Sequence, residues 1–320
     1  MQNPLLSVLL PVYNGEKFIR EAVDSILEQT FTNFELIIID DCSTDNTVSI
    51  IKEYNDARIV LKIKEINSGY TDSLNWGIEN CSGKFIARMD ADDVCFPTRF
   101  DEQIKIMTKN PGIIVCGSWA TIYGTNNYIK HPEKHNDIFI SSLEHCPIVH
   151  PSVMINKFLL GSERYNKDFE PAEDYEFWTR LLHKGTFYNI QKSLLFYREH
   201  NHNISRTKKN IQKEKTIYLK FLFYASINPS IEKIIFNAFK QYHNKEKINT
   251  HSFKELYAMY NKLLFYKPIN LNPKISLLKT RLVIIFLKEN PLSKQFKIFF
   301  FLTFNDKLNF LKHQIKCLIP

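Results

Sequence analysis

Near-continuous apolar runs alternate with amphipathic segments over the first third of this chain, and this alternation limits the folds that the chain can adopt. Apolar runs of strand length occupy 5–10, 34–39, 58–63 and 85–89. The segment 18–28, between the first two runs, carries its apolar side chains on one helical face. Strands that are apolar on both faces are typical of a parallel sheet covered by helices. The sequence therefore predicts an α/β fold with a mostly parallel sheet.

Polar turns follow three of the predicted strands, at 13–14, 40–45 and 90–93. In parallel sheets, ligands bind beyond the carboxyl ends of the strands, where such turns converge. Neither the glycine-rich dinucleotide fingerprint nor the phosphate-binding P-loop follows the first strand. We therefore expect a nucleotide site at this edge of the sheet that is built without either motif.

The third turn contains three carboxylates, Asp90, Asp92 and Asp93. Carboxylates this close repel one another unless solvent, hydrogen bonds or a cation stabilise them. Oxygen ligands of this kind suit Mg²⁺ or Mn²⁺, which is commonly held by protein carboxylates together with the phosphates of a nucleotide. The turn predicts a metal and a nucleotide diphosphate, and the alternative is a solvated acidic turn before Pro97.

A second acidic pair, Glu173 and Asp174, stands at the start of a predicted helix. The helix dipole favours negative charge there, so capping alone would explain both residues. His150 lies in an apolar segment, where either a structural hydrogen bond or a contact to an acceptor is consistent with the sequence. Together with His145 and Cys146 it lacks a fourth ligand at zinc spacing, and we predict no zinc site.

The cysteines and the N-terminal sequence indicate a cytosolic protein. Six cysteines are scattered without CxxC pairs or the spacing of a disulfide framework, which predicts reduced thiols. The N-terminal sequence has no basic segment followed by an apolar run and a cleavage site. No window approaches the roughly 18 apolar residues of a membrane span. We expect neither a secreted nor an integral membrane protein.

The charge of the chain is divided unevenly between two regions. Residues 1–207 contain 21 Lys and Arg against 28 Asp and Glu, whereas residues 208–320 contain 21 against 6. This change predicts a domain boundary near residue 207, followed by a basic, mainly helical C-terminal region with helices at 217–224, 277–287 and 296–302. Such a region either lies on an anionic membrane surface or forms a small helical subdomain with solvated lysines. It has no recognition module for nucleic acid, and none is expected as a partner.

Several short motifs, taken in order, resemble those of the family 2 glycosyltransferases, the inverting transferases of the GT-A fold. The matching pieces are Leu-Pro-Val-Tyr-Asn at 10–14, the segment 25–45 ending in Asp-Asp-Cys-Ser-Thr-Asp, Asn-Ser-Gly at 67–69, Met-Asp-Ala-Asp-Asp at 89–93, Pro97 with Arg99, Glu173-Asp174, and Tyr-Arg-Glu-His at 197–200. The resemblance covers residues 5–206, which would form the catalytic domain. It implies a GT-A fold and favours the metal interpretation of the acidic turn.

The resemblance also implies roles for individual residues. Asp174 corresponds to the catalytic base, and Glu173 and His150 are candidate acceptor-binding residues. Asp92 corresponds to the direct metal ligand, with Asp90 and His200 beside it, and His202 is an alternative to His200. The implied donor-binding residues are Pro11, Val12, Tyr13, Asn14, Asp41, Asp90 and Ala91, with Asp41 at the uracil edge.

These roles predict transfer of a sugar from a nucleotide-diphosphate sugar, with a UDP-sugar as the expected donor, to a hydroxyl of a glycan or lipid-linked glycan. A single displacement assisted by Mg²⁺ or Mn²⁺ would invert the anomeric configuration. The basic region predicts peripheral contact with the inner face of the cytoplasmic membrane, as in the synthesis of a surface polysaccharide, lipopolysaccharide or capsule.

Two other functions would use similar features. A nucleotidyltransferase that makes sugar nucleotides also combines an α/β sheet with metal carboxylates, but it usually has a glycine-rich basic loop after its first strand. Here that turn has only Gly15 and no arginine cluster. A non-catalytic carbohydrate-binding or membrane-binding module would have no need for Asp174 together with Asp90 and Asp92.

Overall fold

The chain folds into two compact units, Met1–Lys213 and Glu214–Pro320. The structure is a computed structural model that describes residues 4–200, 207–229, 231, 235–263, 269–289 and 302. The assignment of 1–207 as the catalytic domain and of 208–320 as the basic region stays a prediction.

The first unit alternates strands and helices, as the apolar runs predict. Its strands are β1 (Leu6–Val12), β2 (Phe34–Asp40), β3 (Ile59–Ile63), β4 (Phe85–Arg88), β5 (Val94–Cys95), β6 (Ile113–Ile122), β7 (Tyr128–Ile129), β8 (Met154–Asn156) and β9 (Thr186–Tyr197). Its helices are α1 (Ile19–Leu27), α2 (Thr47–Lys52), α3 (Tyr70–Asn80), α4 (Arg99–Lys109), α5 (His135–Ser141), α6 (Lys157–Leu160) and α7 (Glu173–Leu181).

All nine strands form one sheet in the order β3-β2-β1-β4-β8-β6-β9-β5, with β7 paired to β6. The first four strands are parallel to one another, which confirms the predicted parallel arrangement for this part of the chain. β8 runs antiparallel to both β4 and β6, and β9 returns parallel to β6. The sheet is therefore mixed, and its parallel half carries the turns that were predicted to bind a ligand.

Strand β1 is buried on both faces because helices cover the sheet on both sides. Leu6, Val8 and Leu10 belong to a core cluster that also contains the apolar face of α1. Helix α3 covers the opposite face so closely that a Cβ at Gly77 would lie 3.0 Å from a methyl group of Leu9. This double burial explains why the strand is an unbroken apolar run rather than an alternating one.

Two segments differ from the predicted strands. The apolar segment 146–155 contributes a 3₁₀ turn, His150–Ser152, and only the short strand β8. The strand predicted at 194–197 is the end of β9, which begins at Thr186. The first half of β9 gave no apolar signal because Asn189, Gln191 and Lys192 interrupt it.

The second unit is helical, and its apolar side chains are buried against one another. Its helices are α8 (Lys209–Ile227, which begins in the first unit), α9 (Phe236–His243), α10 (Thr250–Leu263) and α11 (Asn272–Glu289). The helices predicted at 217–224 and 277–287 are confirmed, and 296–302 lies outside the described residues apart from residue 302. Phe221 and Tyr224 each make an edge contact with the Phe239 ring in a buried aromatic cluster. This packing agrees with the helical-subdomain interpretation.

The described residues also bear on two expectations, one about membrane-spanning helices and one about the cysteines. None of the helices in this part of the chain is long and apolar enough to cross a membrane. Cys42, Cys81, Cys95, Cys116 and Cys146 are all free thiols, as their scattered spacing predicts.

Candidate active site

A cavity of about 1110 Å³ opens at the carboxyl ends of the parallel strands, within the first unit. It forms where the turns after β1, β2 and β4 meet, and the Asp41 N–H donates to the Val12 carbonyl at 2.8 Å across two of these turns. Twelve of the site residues predicted from the sequence line this cavity: Pro11, Val12, Tyr13, Asn14, Asp41, Asp90, Ala91, Asp92, His150, Glu173, Asp174 and His200. The structure thus brings together residues that are up to 189 positions apart in the sequence, from Pro11 to His200.

The turn after β1 is fixed by the turn after β2. Asn14 has a positive φ of 52°, a conformation that Asn tolerates better than most residues. Its backbone N–H donates to Ser43 Oγ at 2.9 Å, and its side-chain oxygen accepts the Thr44 N–H at 2.8 Å. The Tyr13 side chain is 51% exposed beside these bonds. The cavity wall therefore offers an exposed aromatic ring on a rigid turn.

Asp41 holds the 67–69 loop against the sheet. One carboxylate oxygen accepts from Lys64 Nζ and the Ser68 N–H, each at 3.0 Å, and the other accepts the Gly69 N–H at 2.9 Å. A carboxylate has about four acceptor positions, so a donor group of a ligand is still accommodated. The sequence analysis did not identify Lys64, which also donates to Ser68 and Ser73.

The three carboxylates after β4 form a compact acidic cluster. One oxygen from each of Asp90, Asp92 and Asp93 lies within 4.8 Å of the others. Burial and, next, the Asp90 charge raise the pKa of Asp92. Burial and then both neighbouring carboxylates raise the pKa of Asp93 well above its usual range, and one of its oxygens has no hydrogen-bond partner. One arginine, Arg88, pairs with Asp90. The all-oxygen donor set of the three carboxylates fits a hard divalent cation such as Mg²⁺ or Mn²⁺.

Residues at the end of β9 fix the acidic cluster from the opposite side. His200 Nε2 lies 2.8 Å from Asp92 Oδ2, and the imidazole stacks on Phe18 with ring centroids 5.2 Å apart. The Arg198 N–H donates to Asp93, and its Nε donates to the Asp92 carbonyl, both at 2.8 Å. His200 is therefore placed to share a cation with Asp92. The alternative residue His202 lies outside the described residues.

Glu173 and Asp174 occupy the first turn of α7 at the cavity wall. Asp174 accepts the Tyr175 N–H at 2.7 Å, and Cys146 Sγ lies 3.8 Å from its other oxygen. The N-cap residue of the helix is Ala172, which makes no side-chain capping bond. Capping does not explain Glu173, because its Oε2 is buried without a hydrogen-bond partner. Burial and, next, the Asp174 charge raise the pKa of Glu173 to about 8, and burial raises the pKa of Asp174.

This pKa predicts a pH-dependent stability. An acid whose pKa is about 8 in the fold and about 4.3 in the unfolded chain holds its proton more tightly when folded, so its contribution to stability is lost as pH rises between these values. We expect the free energy of unfolding of the native chain to fall, relative to that of Glu173→Gln, from about pH 5 to about pH 8. Each unit of pKa difference corresponds to about 1.4 kcal/mol. Urea unfolding at successive pH values measures the effect.

The exposed Glu28 provides the matched control. The free energy of unfolding of Glu28→Gln should equal that of the native chain at every pH, since Glu28 is exposed to solvent directly after α1. Parallel stability curves for the native chain and Glu173→Gln would contradict the assignment of a raised pKa to Glu173.

His150 is tied into the wall by its ring. Its Nε2 lies 2.9 Å from the Tyr165 hydroxyl, and its ring makes edge contacts with Tyr70 and Trp178. Burial and then the Arg88 charge lower the pKa of His150 well below its usual range, which keeps the imidazole neutral. These contacts support the structural interpretation of His150, and its role toward an acceptor stays a prediction.

The sequence analysis did not identify Arg88, the last residue of β4. Its side chain is 4% exposed, pairs with Asp90 through Nη2, and lines the cavity. The signal was a charged residue in an otherwise apolar strand, two positions before the first acidic residue. Side chains two apart on a strand share a face, so the sequence placed Arg88 and Asp90 on the same side.

Comparisons of the sequence with known proteins agree with this site. The family described as glycosyl transferase family 2 matches residues 7–191. An uncharacterized glycosyltransferase of *Haemophilus influenzae* is 34% identical over 316 residues, covering 91% of this chain and 95% of the relative. The *Escherichia coli* enzyme UDP-Glc:alpha-D-GlcNAc-diphosphoundecaprenol beta-1,3-glucosyltransferase WfgD is 31% identical over 182 residues, covering 57% of this chain and 71% of the enzyme.

Solved structures show the same fold. *Staphylococcus aureus* TarS 1-349 superposes with a TM-score of 0.60 at 15% identity, covering 97% of this chain and 91% of that one. The full TarS chain is longer, and the match spans 53% of it. The *Pyrobaculum calidifontis* mannosyltransferase PcManGT, solved with GDP-Man and Mn²⁺, has a TM-score of 0.54 at 15% identity and covers 91% of this chain and 89% of its own.

These likenesses confirm the predicted GT-A fold, with its largely parallel sheet flanked by helices. The family match extends over more than half of the sequence and includes the turns after β1, β2 and β4. The chain therefore belongs to glycosyl transferase family 2 and is a glycosyltransferase.

Proposed function

We propose that this enzyme transfers a hexosyl group from a UDP-sugar to a hydroxyl of a glycan or lipid-linked glycan, with inversion at the anomeric carbon. One observation carries the proposal. The acidic cluster after β4 and the Asp174 carboxylate at the start of α7 come from separate elements and line the same cavity. A sugar bound between them has its diphosphate leaving group near the acidic cluster. The opposite face of its anomeric carbon is then turned toward Asp174.

The donor end of the site is assigned to the turns after β1 and β2. The exposed Tyr13 ring offers a stacking surface for a base, and Asp41 presents a carboxylate oxygen for a base N–H. Relatives support a uridine donor: TarS has been solved with UDP-GlcNAc, and the name of the *E. coli* relative specifies UDP-Glc. We assign the same nucleotide here. The absence of a glycine-rich basic loop from the first turn favours sugar transfer over the nucleotidyltransferase reaction.

Asp90, Asp92 and His200 would hold Mg²⁺ or Mn²⁺ beside the donor diphosphate. When bound, such an ion neutralises the charge that develops on the departing diphosphate. Asp92 and His200 are already within 2.8 Å of each other, so the ligands are preorganised on the acidic turn and at the end of β9. The complex of PcManGT, a mannosyltransferase of the same fold, with GDP-Man and Mn²⁺ supports the use of a divalent ion here.

Asp174 is assigned as the base that accepts the proton of the attacking hydroxyl. The hydroxyl oxygen forms the new bond to the anomeric carbon while the bond from that carbon to the diphosphate breaks, and the proton passes to Asp174. The Tyr175 N–H and the Cys146 thiol hold the carboxylate in place. Because attack and departure occur on opposite faces of the sugar, the product has the inverted configuration.

The acceptor and the location are assigned from the *E. coli* relative and from the charge of the chain. Its name specifies a diphosphoundecaprenol-linked sugar as the acceptor. We propose a lipid-linked acceptor at the inner face of the cytoplasmic membrane, approached through the basic region 208–320. Sedimentation of the full chain with vesicles tests this contact: binding to phosphatidylglycerol vesicles that salt weakens supports it, and equal pelleting with phosphatidylcholine contradicts it.

A donor panel tests the reaction itself. The full chain is incubated with UDP-glucose, UDP-galactose and UDP-N-acetylglucosamine, with Mn²⁺ and a lipid-linked sugar acceptor, and the products are identified by mass spectrometry. Release of UDP together with a lengthened acceptor supports the proposal. Release of pyrophosphate from UTP and a sugar phosphate indicates a nucleotidyltransferase, and release of neither product indicates a binding module.

The stacking role of Tyr13 predicts a weaker donor affinity for Tyr13→Ala. Stacking of a base on an aromatic side chain is worth about 1–3 kcal/mol, so the Kd for UDP should rise about 5-fold to about 100-fold. Calorimetric titration with UDP measures the change. Tyr128→Ala is the matched control, because Tyr128 is 54% exposed and does not line the cavity. An unchanged Kd for Tyr13→Ala would place the base elsewhere.

A further inference from the structure

Arg88 is a buried cation in the cavity wall whose hydrogen-bonding capacity is largely unused. Its Nη2 pairs with Asp90, but Nε and Nη1 are buried and have no hydrogen-bond partner. Buried N–H groups in proteins are almost always hydrogen-bonded. A guanidinium has five N–H donors, so most of those on Arg88 have no partner within the protein.

Glu173 is an unpartnered group of complementary chemistry in the same wall. It is 8% exposed, and its Oε2 has no hydrogen-bond partner. Both Arg88 and Glu173 line the cavity, one at the end of β4 and the other at the start of α7. The cavity therefore has an unused donor group and an unused carboxyl oxygen on two different elements.

Arg88 contacts the acidic cluster and lines the same cavity as the base. It pairs with Asp90, and its guanidinium lies 5.4 Å from the centroid of the Tyr70 ring. Burial is the main influence on the pKa of Glu173 and of Asp174, and in both the Arg88 charge acts to lower the pKa. A sugar bound between the acidic cluster and Asp174 therefore lies in the cavity that Arg88 and Glu173 line.

We propose that Arg88 and Glu173 bind hydroxyl groups of the transferred sugar and so determine which donor the enzyme accepts. The inference rests on the proposed function, since it assumes a sugar between the acidic cluster and Asp174. The Arg88 N–H groups donate to a ring or hydroxyl oxygen, and the Glu173 carboxyl group hydrogen-bonds a second hydroxyl. Sugar hydroxyl groups fit this pair, because a hydroxyl can accept from the guanidinium and can donate to or accept from the carboxyl group.

The alternative role for Arg88 is to position Asp90. A residue that only positions Asp90 affects the nucleotide and the sugar nucleotide equally, because both contain the diphosphate. A residue that binds the sugar affects the sugar nucleotide alone. Comparing UDP with a UDP-sugar therefore separates the two roles.

The test measures Kd by calorimetry for UDP, UDP-glucose and UDP-N-acetylglucosamine, with Mn²⁺, on the native chain, Arg88→Lys and Glu173→Gln. Arg88→Lys keeps the positive charge beside Asp90 and removes the planar fork of donors. We expect each variant to bind the preferred UDP-sugar about 10-fold or more weakly, since the loss of one hydrogen-bonding partner leaves a buried polar group in the complex unsatisfied. The Kd for UDP should change by less than about 2-fold. Arg20→Lys, an exposed arginine outside the cavity, is the control.

Each other outcome has a definite meaning. Equal weakening of UDP and UDP-sugar by Arg88→Lys overturns sugar binding in favour of the positioning of Asp90. Unchanged affinity for both ligands in both variants overturns the inference outright. Failure of the native chain to bind any UDP-sugar overturns the proposed donor and the inference together, whereas native binding and transfer with unaffected variants overturns the inference alone. If Arg88→Lys does not fold, as judged by thermal unfolding, Glu173→Gln still decides.

Discussion

The Asp174→Asn variant should bind the donor normally and transfer sugar about 10²–10⁴-fold more slowly than the native enzyme, the range that general-base catalysis usually contributes. Asparagine keeps the side-chain oxygen that accepts the Tyr175 N–H at 2.7 Å, so the start of α7 should be preserved. It loses the basicity that takes the proton of the attacking hydroxyl. Initial rates at saturating donor and acceptor measure kcat, and calorimetry with the UDP-sugar measures binding.

A second acidic residue at the start of a helix makes the control. Asp137 lies in the first turn of α5, as Asp174 does in α7, but it is exposed and does not line the cavity. Asp137→Asn should change the helix dipole interaction in the same way and leave kcat unchanged. If Asp174→Asn kept near-normal kcat, Asp174 would be a capping residue and another group would be the base. If donor binding fell with kcat, the variant would have disturbed the cavity.

The sequence predicted the parallel half of the fold because those strands are buried on both faces. β1, β2 and β4 are short and almost wholly apolar, so their type and order could be read directly. The sequence predicted only the end of β9. Asn189 and other polar residues interrupt the apolar pattern in the first half of that strand. The antiparallel insertion of β8 between β4 and β6 had no local signal, because strand order depends on contacts between distant segments.

The candidate site also has a part that the sequence predicted and a part that it could not predict. Motif order identified Asp92, Asp174 and His200, and their assembly around one cavity follows from the ends of parallel strands converging. Partners within the site could not be predicted. That Lys64 would bind Asp41, or that Glu173 would be buried without a partner, depends on side-chain packing across elements. The roles of these residues in the reaction stay predictions until the variants are measured.

The second large effect is expected from a substitution in the acidic cluster. It can be measured as a change in stability as well as in activity. In the metal-free protein Asp90, Asp92 and Asp93 repel one another, and burial raises the pKa of Asp92 and of Asp93. Removing one of these charges relieves the repulsion and also removes a ligand. Asp92→Asn should therefore unfold at the same or a higher temperature than the metal-free native chain, yet show no stabilisation by Mn²⁺. The native chain should gain stability as RT ln(1 + [Mn²⁺]/Kd).

The same variant should lose about 10³-fold in kcat/KM, because Lewis-acid stabilisation of a leaving group is worth several kcal/mol and about 1.4 kcal/mol is a factor of ten. Asp101→Asn, an exposed residue of α4 outside the cavity, should retain both the activity and the stabilisation by Mn²⁺. Full activity of the native enzyme in excess chelator would contradict a metal role for the cluster. Stabilisation of Asp92→Asn by Mn²⁺ as large as that of the native chain would instead place the ion on other ligands, because the loss of a direct ligand must weaken its binding.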